Sequence, residues 1–130
     1  MTIAITPIYA IILTLLYLVL AFRVIYERRT QKFAYGDNDS PRIHAKIRAQ
    51  ANWAEYAPIA LLLMLMAELM GAQAWALHGI GILLLIGRGM HGYGMSFVPK
   101  QLKFRTRGMM LTVISINLLM VLNIITWFLA

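Results

Sequence analysis

Four stretches of the chain are dominated by apolar positions, and short polar breaks separate them. The first runs from about Thr2 to Phe22 without a charge and continues as Arg23-Val24-Ile25-Tyr26. The second extends from near Pro41 to near Met70, the third from about Gln73 to Gly87, and the fourth, Gly108 to Ala130, has no charge at all. About 20 apolar residues cross the hydrocarbon core as a helix, so the first and fourth qualify by length alone. The second and third carry charges inside the pattern. Gly36-Asp37-Asn38-Asp39-Ser40-Pro41 reads as a polar turn. In it Ser40 is placed to cap the next helix, and Pro41 takes the first helical position, where a missing N–H costs nothing. Gly71 ends the second helix, and Pro99 breaks the chain among basic residues. The pattern predicts an all-α chain with helices over about 2–30, 41–70, 73–95 and 104–129. They form one domain, residues 1–130, an integral membrane four-helix bundle of up-down-up-down topology. The first stretch reads as a retained helix and not a cleaved signal, because it lacks a basic start and an A-x-A site.

Composition supports the membrane. Of the residues 61% are apolar and only 13% are charged, about half the charged share of a soluble domain. No cysteine is present, which excludes disulfides and thiolate metal sites. Asp37-Asn38-Asp39 lacks the remaining ligands of a calcium loop, so no metal is expected. The net charge of +7 would suggest nucleic acid in a soluble protein. Here topology accounts for it, and no nucleic-acid partner is expected. Arg23, Arg28, Arg29, Lys32, Arg42, Lys46 and Arg48 surround the first connection; Arg88, Lys100, Lys103, Arg105 and Arg107 surround the third. The connection at Gly71 and both termini carry no Lys or Arg. The positive-inside rule places loops 1 and 3 in the cytoplasm and both termini outside it. Trp53, Trp75 and Trp127 fall near the expected interfaces, as aromatic belts do.

Helix rise gives depth. Counted from Met70, Glu55 lies roughly 22 Å up and Arg48 roughly 33 Å up; Arg88, counted from Gln73, also lies roughly 22 Å up. Glu55 and Arg88 are therefore expected to pair on antiparallel helices. Arg48, Asn52 and Glu55, spaced i, i+4, i+7, share one face of the second helix, with His44 a turn earlier. Tyr56 flanks that face, and Gln50 points nearly the opposite way. A cation, an amide and an anion on one stripe at the membrane rim suit a zwitterionic ligand, and ionisable groups in a membrane segment are functional candidates. The bland reading stands beside it: Glu55 only pairs with Arg88, and Asn52 only joins helices. Glu68 is expected at the outer interface, His78 in packing or at the headgroups, and Asn117 and Asn123 in interhelical hydrogen bonds.

The run Arg48-Ala49-Gln50-Ala51-Asn52-Trp53-Ala54-Glu55-Tyr56-Ala57-Pro58 resembles the signature of the MAPEG family, membrane-associated proteins in eicosanoid and glutathione metabolism. Val24-Ile25 followed by Arg28-Arg29 resembles the end of that family's first helix. Gly87-Arg88 with His91-Gly92-Tyr93 resembles the end of its third. The likeness is strongest to short bacterial inner-membrane members. It implies a homotrimer with glutathione, a co-substrate, held between subunits on the cytoplasmic side. By position, Arg48, Asn52 and Glu55 would hold its gamma-glutamyl end. Gln50 and Arg28 would reach the glycine carboxylate, and Tyr56, Arg88 and Tyr93 would complete the pocket. His91 stands where the eukaryotic enzymes have a tyrosine. The thiol-activating cation has no firm counterpart, and Arg105, Lys103 and Arg28 are the candidates.

The function implied is a glutathione transferase or peroxidase acting on lipophilic small molecules that arrive from membrane lipid. Two other readings are weighed against it. A non-enzymatic ligand-binding or scaffold protein on the same fold would bind without turnover. A small multidrug-type transporter needs a membrane-embedded acid in its first helix, and Thr2 to Phe22 has none.

Overall fold

The computed structural model describes residues 3–99 and 101–129. In chain order it contains α1 (Thr6–Gln31), α2 (Pro41–Leu69), α3 (Ala74–Met95) and α4 (Leu102–Leu129), with no strand among the described residues. The expected spans hold to within a few residues. Thr2, Lys100 and Ala130 lie outside the described residues, and α1 starts at Thr6, with Pro7 in its first turn. Proline is suited to that place because the first N–H groups of a helix have no partner in it. Two helices, α1 and α4, are long and apolar enough to cross a membrane.

Successive helices run antiparallel, and polar contacts pin both ends of the first pair. At one end the Glu68 carboxylate of α2 accepts the backbone N–H groups of Ala4 (2.7 Å), Ile5 (2.6 Å) and Thr6 (2.7 Å). A helix start presents unsatisfied N–H groups and a positive dipole end, and an anion serves both. Glu68 is thus a cap for a neighbouring helix, a role that an interfacial position alone does not suggest. At the other end buried Glu27 of α1 accepts from Lys46 Nζ (2.6 Å) and lies 3.3 Å from Arg42 Nε, both on α2.

The breaks follow local chemistry. Gly71, at φ 84°, closes α2. Its N–H donates to Glu68 O at 3.0 Å, and that of Ala72 to Ala67 O at 2.9 Å, the pairing of a Schellman cap. Ser40 occupies the N-cap of α2 in extended conformation, but its side chain makes no capping hydrogen bond. Asp37 instead braces the turn. Its carboxylate receives the Asp39 N–H at 3.2 Å and lies 2.8 Å from His44 Nδ1. The His44 imidazole, and then the Asp39 N–H, hold the Asp37 carboxyl below the usual aspartate range. His44 therefore belongs to the turn rather than to the Arg48 stripe.

Small residues bring α3 against α4. A Cβ built on Gly87 would lie 2.9 Å from Leu111 Cβ, and one on Gly94 or Gly108 would collide with the backbone of Arg105 or His91. The buried core includes Leu13, Leu20, Trp53, Met64, Leu84 and Leu119. Trp53 is thus a core residue and not part of an interfacial belt, whereas Trp75 and Trp127 are exposed. Asn123 Nδ2 reaches from α4 to Leu63 O of α2 at 2.8 Å, as an interhelical residue should. Among the described residues Asn117 donates only within its own helix, to Val113 O. His78 packs as expected, its Nδ1 3.0 Å from the Tyr9 hydroxyl.

Candidate functional site

The exposed stripe of α2 comes from simple periodicity. Ala45, Ala49, Trp53, Ala57 and Ala60 face the core, so the residues between them turn outward. Arg48 and Glu55, one cation and one anion on that outer face, approach to 3.7 Å with side chains 43% and 50% exposed. An exposed pair of this kind contributes about 0–1 kcal/mol, so a ligand can separate it at little cost.

Within one chain, Arg88 of α3 does not make the pair with Glu55 that equal depth suggests. Its Nη2 donates to Asn52 Oδ1 at 2.9 Å, and Glu55 turns to Arg48. The Arg88 guanidinium carbon sits 5.3 Å from the Trp53 ring and 5.6 Å from that of Tyr56, within cation–π range. Arg88 has 0% exposure, and its Nε and Nη1 find no hydrogen-bond partner among the described residues. Because Asn52 Oδ1 is taken by Arg88, its NH₂ is the end left to donate elsewhere.

Beside this cluster a groove of about 680 Å³ is lined by Asn52, His91, Arg105 and Thr106, then by Met109, Met110, Val113 and Ile114. Its polar end meets the α2 stripe, and its apolar end runs along α4. His91 is 3% exposed, and its Nδ1 also lacks a hydrogen-bond partner among the described residues. Its spacing of i+3 from Arg88 was a usable signal, because such residues share a helical face.

The predicted site residues do not all meet within one chain. Arg48, Asn52, Glu55, Tyr56 and Arg88 gather around the α2 stripe. Gln50 faces α1, where its Nε2 donates to the Tyr17 hydroxyl at 3.2 Å. Nothing in an apolar run marks Tyr17 in advance. Arg28 donates to Gly36 O at 3.3 Å and lines a separate groove with Ile25, Arg29 and Lys32. Tyr93 lies half exposed in an aromatic cluster, 5.1 Å from Phe97 and 5.4 Å from Phe104 between ring centres. Of the three candidates for thiol activation, Arg105 lines the groove beside Asn52, and Lys103 and Arg28 do not.

A helical bundle with two span-length apolar helices and a charged, partly exposed stripe is the architecture of a small α-helical membrane protein. The family model described as MAPEG family matches residues 6–125, and the chain belongs to that family. Among its relatives is the "Inner membrane protein YecN" of Escherichia coli strain K12, 37% identical over 120 residues, which are 92% of this chain and 90% of that protein. The protein of the same name from Escherichia coli O6:H1 strain CFT073 matches at the same identity and coverage.

Proposed function

We propose that this chain is a glutathione-binding membrane enzyme that conjugates or reduces lipophilic electrophiles or hydroperoxides at the cytoplasmic side of the membrane. The observation that carries the reading is the exposed Arg48–Glu55 pair on the same α2 stripe as Asn52, the stripe residue that lines a groove whose far end is apolar. The gamma-glutamyl end of glutathione carries one carboxylate and one ammonium. The Arg48 guanidinium can fork onto the carboxylate, and Glu55 can accept from the ammonium, each a charge-assisted bond. The Asn52 NH₂ adds a donor between them. A thiol has a pKa of about 8.5, and an adjacent cation lowers it. Arg105 is the cation that lines this groove. The thiol proton passes to water, and the thiolate attacks the electrophilic centre of a co-substrate seated against Met109, Met110, Val113 and Ile114, forming the C–S bond as the leaving group departs. At a hydroperoxide it instead breaks the O–O bond and releases the alcohol, and a second glutathione reduces the resulting sulfenic acid to give the disulfide and water.

In this reading all four helices cross a bacterial inner membrane, with loops 1 and 3 cytoplasmic and both termini outside. Arg28 and Gln50, on faces away from the α2 stripe, would serve the site of a neighbouring subunit in a homotrimer. A non-enzymatic binder on the same scaffold would use the same stripe without turnover. Turnover separates the two. The purified protein, given glutathione and a lipophilic electrophile in detergent, should form conjugate well above the protein-free rate. Arg105→Ala should slow that reaction while retaining glutathione binding. Binding without conjugate formation or hydroperoxide reduction would overturn the enzymatic reading.

A further inference from the structure

Away from the α2 stripe, three cations from two helices converge on a second cavity. It measures about 360 Å³ and is lined by Arg23 of α1, Arg42 and Lys46 of α2, and Ser96, Phe97 and Val98 of the α3–α4 connection. Topology explains why each cation lies at this end of the bundle. It does not explain why all three meet at one cavity, and like charges gathered in one place repel unless an anion joins them.

Glu27, one turn after Arg23, is the anion that the fold itself supplies. It takes Lys46 at 2.6 Å and Arg42 Nε at 3.3 Å. One carboxylate against three cations leaves a local excess of two positive charges. Glu27 engages Arg42 through Nε, which leaves both terminal amino groups of that fork available. Among the described residues Arg23 makes only a long bond to Ser96 O, 3.4 Å, and lies 5.6 Å from the Phe97 ring centre. Its guanidinium therefore has donors to spare. Counted from Thr6, Arg23 sits roughly 26 Å along α1, close to the edge of a hydrocarbon layer about 30 Å thick. Lipid phosphates lie just beyond that edge, and the exposed Phe97 and Val98 give acyl chains an apolar margin.

We propose that this cavity is a phosphate site, occupied by the headgroup phosphodiester of an anionic phospholipid. Basic pockets between membrane helices on the cytoplasmic side take such headgroups. Arg23 and Arg42 present planar forks that match two phosphate oxygens, while Lys46, held by Glu27, sets the local field.

The test is native mass spectrometry of the detergent-purified protein titrated with phosphatidylglycerol, with phosphatidylcholine as the neutral lipid and inorganic phosphate as the soluble source. One phosphatidylglycerol should bind per protomer in preference to phosphatidylcholine. R23Q/R42Q should weaken it about tenfold or more, since losing even one of the two charge-assisted contacts has that effect. R29Q/R107Q removes the same charge outside the cavity and should leave the discrete adduct in place. If the double pocket variant does not purify, R42Q alone carries the test, because the Arg42 side chain is 70% exposed. Equal weakening by both pairs, or equal binding of the two lipids, would overturn the site. Saturable inorganic phosphate binding, lost in R42Q and without any lipid preference, would overturn the lipid assignment.

Discussion

Burying an arginine in a membrane protein is expensive, and Arg88 shows how one chain offsets part of that expense. Among the described residues its guanidinium has one hydrogen bond, to Asn52, and two aromatic faces. Asn52→Ala removes the bond and strands the charge, so it should lower stability by about 1.5–3 kcal/mol, the range for hydrogen bonds to charged groups. Thermal unfolding in detergent reads this as a lower midpoint; a wild-type midpoint would contradict the role given to Asn52. At this scale the polar stripe was legible in the sequence, because i, i+4, i+7 spacing fixes which residues of one helix share a face. The partner of Arg88 was not. Rise per residue fixes height, and height placed Arg88 level with Glu55, but the rotation of α2 against α3 decides which side chain is met. That rotation is set by packing around Trp53 and the buried alanines, which a depth count does not include.

Helix boundaries were readable to within a few residues because the signals are local: Pro41 and Gly71 act on their own turns. The α3–α4 seam was not readable. Gly79 and Gly89 on α3 meet nothing within 4 Å, whereas Gly87 and Gly94 lie against α4. Sequence alone shows glycines and not which of them touch. Gly108→Val would drive two methyl groups into the backbone of His91 and separate the helices that form the groove. Overpacking of this kind costs typically about 1–3 kcal/mol. The variant should unfold at lower temperature and lose glutathione binding, whereas Gly89→Val, on the open side, should keep both. Similar behaviour of the two variants would contradict the close seam. The cap that Glu68 provides to α1 was also hidden, because it joins residues more than 60 positions apart.

At the scale of the whole molecule, the charge pattern and the family agree on a membrane protein, and two predictions concern how it sits and assembles. A reporter active only outside the cytoplasm should be active when fused after Ala130, because neither terminus carries Lys or Arg to hold it inside. Activity of a cytoplasm-only reporter at that position would invert the topology. Mass measurement in mild detergent should give a trimer, as the resemblance to the family implies; a stable monomer or dimer would contradict it. The four-helix architecture was legible because apolar length and basic loops act over long stretches. Which neighbouring helix each face meets was not, because that depends on how the helices pack.

The most direct test of the central claim is calorimetric titration of the detergent-purified protein with glutathione. Saturable binding is expected. Arg48→Ala should weaken it about 10- to 150-fold, the loss of one charge-assisted contact at 1.4 kcal/mol per decade. Arg48→Lys should recover only part of it, because an ammonium cannot fork onto a carboxylate, and Arg29→Ala should bind like wild type. No saturable heat with the wild-type protein, or equal weakening by Arg48→Ala and Arg29→Ala, would contradict the account.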